Sequence, residues 1–178
     1  DLATLLTRFG KTNLVGKAFG IIKFVPEGAT EEIDISVPRI DSKSTGKGHK
    51  DFEVKLGKGI TLQQDQLRRD FWMNAMARDV ETGEIHDIDN KGRTDIENQE
   101  IRVIGSRAFR EDPLRMLRAV QFAARFDFKI ESETMKQIKR NVNLIKTVSP
   151  ERFQEEFKKM FEKGTPSIGV DLLKETGI

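Results

Sequence analysis

The chain has 178 residues, 37% hydrophobic and 34% charged, which suits one or two globular domains with real cores and excludes a disordered or fibrous chain. Thirty-one basic against 29 acidic side chains leave a net charge of +2, so bulk charge does not announce a nucleic-acid binder. There is no cysteine for a disulfide or a thiolate, two histidines cannot build a His-rich metal centre, and no apolar run approaches the roughly 18 residues of a membrane helix.

Residues 1–9 read as the end of a helix, broken by Gly10. Residues 13–24 alternate in a strand-like way, with Gly16 and Gly20 where the backbone turns or something approaches closely. After the Pro26-Glu27-Gly28 turn, residues 32–37 alternate cleanly: Ile33, Ile35 and Val37 point one way, Asp34 and Ser36 the other. A hairpin joining these strands is the simplest arrangement. Residues 41–50 form a polar, basic loop with Lys43, Lys47 and Lys50; its Gly-Lys-Gly run lacks the spacing of a phosphate-cradling loop. Residues 62–78 read as a helix with Leu67, Phe71, Met73 and Ala77 on its buried side. A short strand at 84–87 and a turn at 89–92 lead to a short helix begun by Thr94 or Asp95, and then to 101–104. Further helices are expected at 131–141, at 150–163 with Ser149 as cap, and at 166–176 before Gly177. The change from mixed elements to helices sets a domain boundary near residue 105, giving an α+β unit, 1–105, and an all-α unit, 106–178. The sequence opens at Asp1 without methionine and closes on a helix end, so a piece of a longer protein is expected.

The segment Arg110-Glu111-Asp112-Pro113-Leu114-Arg115 begins the central helix. Asp112 can cap it, and Pro113 fits the first helical position, where no backbone N–H is needed. Leu114, Leu117, Val120 and Ala124 form an apolar stripe, while Asp112, Arg115 and Arg118 rise along a neighbouring face. A carboxylate beside a guanidinium can read a nucleobase. Cytosine and adenine each offer an amino donor next to acceptors, whereas uracil and guanine reverse that polarity. The plainer alternative is a cap beside a solvated basic face. Arg102, Arg107 and Arg110 before this helix, and Lys136, Lys139 and Arg140 after it, are local basic patches that fit a polyanion or ordinary surface equally well.

Three segments in order make a resemblance specific. Arg68-Arg69-Asp70-Phe71 with Asn74-Ala75, then Asp87, Gly92 and Asp95-Ile96, then Glu111-Asp112-Pro113-Leu114-Arg115 with Arg118 are similar to the ordered motifs of class II tRNA nucleotidyltransferases. That group comprises the CCA-adding enzymes with the CC-adding, A-adding and bacterial poly(A) polymerase relatives. Val15-Gly16-Lys17-Ala18-Phe19-Gly20 and Gly48-His49-Lys50-Asp51-Phe52-Glu53-Val54 resemble further stretches of it, and the match covers essentially the whole chain.

The resemblance implies a nucleotidyltransferase-type mixed sheet with helices (a head) followed by a helical neck. It implies addition of CMP and AMP from CTP and ATP to a tRNA 3′ end, with release of pyrophosphate. Arg68, Arg69 and Asp70, with Asn74 nearby, are expected on the nucleotide's ribose and phosphates. Asp112 and Arg115 would select the base, with Arg118 supporting them or contacting phosphate. The Asp87 to Asp95 segment would act as a hinge or a plain turn, and Lys43, Lys47 and Lys50 would sit in a loop meeting RNA. Two Mg2+ ions are implied, held in the family by an Asp-x-Asp pair on a strand that follows a Gly-Gly-x-x-x-Arg-Asp motif, neither of which this sequence carries; Asp34 aligns with a third acidic position beside them, or is simply an exposed strand carboxylate. The chain alone is therefore expected to be inactive. Trp72 and Met73 stand where smaller or β-branched residues are usual, the Asp87 segment is one residue longer, and Asp127 replaces a helix-ending glycine. Runners-up are a poly(A) polymerase, an A-adding or CC-adding specialist, and a non-catalytic module binding nucleotide or RNA. The expected setting is cytoplasmic, with neither membrane nor disulfide-linked partners.

Overall fold

The computed structural model describes residues 1–15, 21–41, 54–57 and 59–178, and these pack as two compact units, Asp1–Arg68 and Arg69–Ile178. Lys43, Lys47, Lys50 and most of the two glycine-bearing stretches singled out above lie outside the described residues.

In the first unit, helix α1 (Leu2–Leu6) is capped by Asp1, whose carboxylate accepts from the N–H of Thr4 at 2.8 Å. Strands β1 (Gly10–Val15), β2 (Ile21–Pro26) and β3 (Ile33–Ser36) form an antiparallel sheet in the order β1-β2-β3. Alternation on the central strand buries Ile22 and Phe24. The stripe expected on β3 is less covered, since Ile33 and Val37 stay about half exposed. Strands β4 (Arg39–Asp41) and β5 (Val54–Leu56) pair antiparallel. Helix α2 (Leu62–Leu67) starts in a reciprocal capping box between Thr61 and Gln64. It is tied to β4 by Asp65, whose Oδ1 accepts from the N–H of Arg39 at 3.1 Å.

The helix expected over 62–78 is shorter than its pattern suggests. It stops at Leu67, and Phe71 is extended and bridges Val103, with no exposed surface. A large ring that reaches the core only from extended backbone outweighs local helix propensity. Residues Trp72–Asn74 then make a single 3-10 turn before the hairpin of β6 (Ala77–Arg78) and β7 (Ile85–His86).

The second unit is organised around one helix. After α3 (Lys91–Glu97), β8 (Glu100–Ile101) and the short α4 (Ala108–Glu111), helix α5 (Leu114–Phe126) runs through the core. Asp127 ends it in left-handed conformation, φ 56, which aspartate tolerates better than most residues. Strand β9 (Lys129–Ile130) pairs parallel with β8, a short strand inside the region expected to be purely helical. Helix α6 (Ser132–Asn141) is capped by Glu131; a 3-10 turn, Val142–Thr147, leads to α7 (Pro150–Lys163) and α8 (Pro166–Thr176), which ends at Gly177.

Helix α5 is buried on more sides than a single stripe implies. Met116, Ala119 and Ala123 pack with Phe71, Ile101 and Phe109, while Leu117, Val120 and Ala124 face α7 and α8 through Phe157, Met160 and Leu173. Each fully buried large side chain contributes roughly 1.5–3 kcal/mol, so this helix fixes the geometry of whatever its ends carry. No helix among the described residues is long and apolar enough to cross a membrane.

Candidate functional site

The start of α5 is built from both sides. Asp112 is extended, φ −140 and ψ 98, and Pro113 turns the chain into the helix at φ −60. Asp112 Oδ1 accepts from the N–H of Leu114 at 3.2 Å, so the expected capping role is present. Its Oδ2 accepts from Arg152 Nη2 on α7 at 2.9 Å. The Asp112 side chain is 27% exposed, which leaves room for a further donor from outside. Arg115, one turn on, is largely buried, with Nη1 at 4.0 Å from Glu111 Oε2.

A second cluster joins Arg69, Asp70, Asn74 and Arg118. Asp70 Oδ1 accepts from the N–H of Phe71 at 2.8 Å and from Asn74 Nδ2 at 3.2 Å. Its Oδ2 takes Arg118 Nε at 2.8 Å and Nη2 at 2.7 Å. Arg69 Nη1 donates to the backbone oxygen of Asn74 at 3.2 Å. The turn carrying Asp70 is itself pinned: Ile104 N–H donates to Asp70 O at 3.0 Å, and Trp72 N–H to Arg102 O at 3.2 Å.

Arg118 continues the chain of charges to α7, where Nη1 meets Glu156 Oε1 at 3.2 Å and Lys159 Nζ meets the same oxygen at 2.8 Å. Burial works to lower the Arg118 pKa, but the Asp70 and Glu156 carboxylates override it, and the pKa is raised. Glu156 is only 4% exposed, and its Oε2 has no hydrogen-bond partner among the described residues.

Arg152, Glu156 and Lys159 did not stand out in the sequence. Their signal is a charged stripe at helical spacing, 152, 156 and 159, beside the Phe153, Phe157 and Met160 face of the same helix. Nothing within α7 alone says that this stripe meets Asp112 and Arg118.

The remaining expected residues lie elsewhere. Arg68 closes the first unit and pairs with Asp65, Nε at 2.9 Å and Nη2 at 2.8 Å from Oδ1. Asp34 is 64% exposed on β3 and sits 3.5 Å from Lys23, its cross-strand neighbour, which also binds Glu32. Magnesium needs convergent oxygen ligands, and no group of three metal-ligating side chains occurs among the described residues. A carboxylate beside a lysine does not fit such an ion by itself. In the second motif, Asp87 accepts from the N–H groups of Gly92 at 2.9 Å and Arg93 at 2.8 Å, closing the turn into α3.

Residues 2–102 match the family model described as the poly(A) polymerase head domain, and residues 127–178 the one described as the probable RNA and SrmB-binding site of polymerase A. A multifunctional CCA protein of Nitrosomonas europaea is 42% identical over 137 residues, 76% of this chain and 32% of that relative. The crystal structure of Bacillus stearothermophilus CCA-adding enzyme in complex with CTP aligns at TM-score 0.81 and 33% identity, covering 95% of this chain and 39% of that one. Thermotoga maritima CCA-adding enzyme complexed with tRNA-CCA aligns at TM-score 0.74 and 27% identity, covering 97% and 38%. The chain thus spans about a third of the length of the curated relative.

Proposed function

The chain belongs to the poly(A) polymerase head-domain family, and from that membership we propose that it is the nucleotide-selecting part of a tRNA nucleotidyltransferase that adds CMP and AMP from CTP and ATP to the tRNA 3′ end. In this reading residues 1–105 serve as head and 106–178 as neck. The reaction is attack of the RNA 3′-hydroxyl on the α-phosphorus of the nucleotide, with pyrophosphate leaving. The setting is the cytoplasm. Magnesium belongs to that chemistry, but no step is assigned to it through residues described here, because Asp34 with Lys23 does not make a site for it.

The observation that carries the reading is the Asp112 carboxylate, fixed by Leu114 N–H on one oxygen and Arg152 on the other while still part exposed. So held, it accepts from the amino group of cytosine or adenine, and Arg115 donates to the neighbouring acceptors. Uracil and guanine place a carbonyl against the carboxylate and leave polar groups unpaired, which is how such a site rejects them. Arg69 meets the phosphates, as a guanidinium fork suits phosphate oxygens. Asp70 and Asn74 complete the ribose side, and Arg118 braces Asp70 against Glu156.

Calorimetric titration of this chain with CTP, ATP, UTP and GTP tests the selection. CTP and ATP should bind at least about tenfold more tightly than the other two, a difference of about 1.4 kcal/mol. Equal affinity for all four overturns the assignment of Asp112. Incorporation by the full-length protein with CTP alone, ATP alone and both separates CCA addition from poly(A), CC or A addition.

A further inference from the structure

We propose that Arg107, immediately before α4, and Arg110, exposed on it, grip the phosphodiesters of the RNA strand whose 3′ end is extended. This rests on the RNA-directed reading above and names a surface that it does not use.

The basic residues on the nearby helices are largely neutralised within the protein. Lys136 and Arg140 share Glu133, at 3.7 and 3.4 Å, and Lys139 takes Glu175 at 3.1 Å. Arg107 and Arg110 differ. Both are exposed, and among the described residues Arg107 has no side-chain hydrogen bond or ion pair. Arg110 donates through Nε to Asn141 Oδ1 at 3.3 Å, a neutral partner that orients the guanidinium and leaves its charge uncompensated. Glu111, the acid beside them, lies 4.0 Å from Arg115.

Placement gives the cations a partner. Arg110 N–H donates to Arg107 O at 2.9 Å, so the two share one turn and project three residues apart on one face. Two guanidinium groups so spaced can hold neighbouring phosphates of a single strand. Arg110 stands two residues before Asp112, the base selector of the preceding section. An RNA whose 3′-hydroxyl must meet a nucleotide read at Asp112 brings its last phosphodiesters past this turn. A free triphosphate has no reason to extend there, because its phosphates leave the base on the ribose side.

The test measures anisotropy of a fluorescent RNA hairpin with a four-nucleotide single-stranded 3′ tail, from 50 to 300 mM KCl, for the wild type and Arg107→Gln/Arg110→Gln. About 0.7 in the slope of log K against log salt is lost per single-strand phosphate contact, so the double variant should be shallower by about 1.4. Its CTP affinity and melting temperature should match the wild type. Arg107→Lys/Arg110→Lys should restore most of the slope, and Lys136→Gln/Arg140→Gln should leave it nearly unchanged. An unaltered slope in the glutamine variant overturns the inference, and so does an equal loss in the Lys136/Arg140 control, which would mean diffuse charge. A parallel loss of CTP affinity overturns it by moving the arginines into the nucleotide pocket. A wild type that binds CTP but no RNA overturns it together with the RNA-directed reading, whereas binding of RNA with an unchanged slope leaves that reading standing.

Discussion

Arg152 reaches Asp112 across 40 residues of sequence, Nη2 to Oδ2 at 2.9 Å, and so orients the carboxylate at the entrance of α5. Both side chains are about a third exposed, so the pair itself should contribute no more than about 1 kcal/mol to stability. Its expected effect is on selection. Arg152→Ala should weaken CTP binding about fivefold, near 1 kcal/mol, and narrow the margin over UTP, while the urea midpoint barely moves. Asp112→Ala should abolish that margin and spare RNA affinity. If RNA and nucleotide binding fall together in Asp112→Ala, the carboxylate is structural.

Arg118 holds two nearly buried carboxylates at once, Asp70 and Glu156. Replacing it by methionine removes the countercharge and leaves both acids desolvated, a loss of about 2–3 kcal/mol after allowing for the third of the guanidinium that is exposed. Glu156→Gln should be milder, near 1 kcal/mol, because Asp70 still pairs the arginine. Urea denaturation of the two variants gives the order. A smaller loss for Arg118→Met than for Glu156→Gln would mean that the network is not centred on the arginine.

What the sequence revealed and what it hid follow from the range of the interactions. The starts of α5, α7 and α8 were legible because their prolines, and Asp112 before α5, act within one turn, as Gly177 does at the end of α8; Ser149, expected to cap α7, makes no side-chain hydrogen bond there. Asp112 and Arg118 could be singled out because they stand close in sequence, one at the entrance of α5 and one on it. Their partners were not: Arg152 and Glu156 sit 40 and 38 residues away, and only the packing of α7 on α5 brings them in. The break after Leu67 was hidden for the same reason, as Phe71 answers to Val103 and the core rather than to its neighbours in sequence. Asp34 stood out by resemblance alone, and its exposed carboxylate lies 3.5 Å from Lys23.

Gly92 is predicted to resist even alanine. A Cβ there would lie 2.6 Å from Met76 Cγ and 2.8 Å from the backbone oxygen of Trp72. The methionine can yield, but the carbonyl belongs to the turn that fixes Asp70, and Lys91 lies 4.6 Å over the Trp72 ring beside it. Gly92→Ala should destabilise by about 1–3 kcal/mol, the range for overpacking. Gly105→Ala is the control. It meets nothing within 4 Å and strains only its φ of +79, so about 1 kcal/mol is expected. Equal losses in thermal melts of the two would show that the Trp72 carbonyl moves freely.

Asp95 should make stability fall as pH rises toward neutrality. Its carboxyl is 1% exposed, and neither oxygen makes a hydrogen bond among the described residues, although Arg102 Nε lies 3.1 Å away. Burial pushes its pKa from 3.8 up to about 6 against the pull of Arg102, with Glu100, Glu131 and Asp87 adding to the rise. The native state therefore binds the proton more tightly than the unfolded chain. That stability is fully present below about pH 3.8 and is lost as pH climbs through about 6. Glu131 acts in the opposite sense: burial alone would raise its pKa, but the N–H groups of Glu133 and Thr134 lower it, so its share is lost as pH falls. The difference between wild type and Asp95→Asn isolates Asp95. At pH 7 the asparagine variant should be more stable by up to about 2–3 kcal/mol, and by pH 4 the advantage should have vanished. Urea midpoints at both values decide it, and an advantage that grows as pH falls would show that Asp95 is an ordinary ionised partner of Arg102.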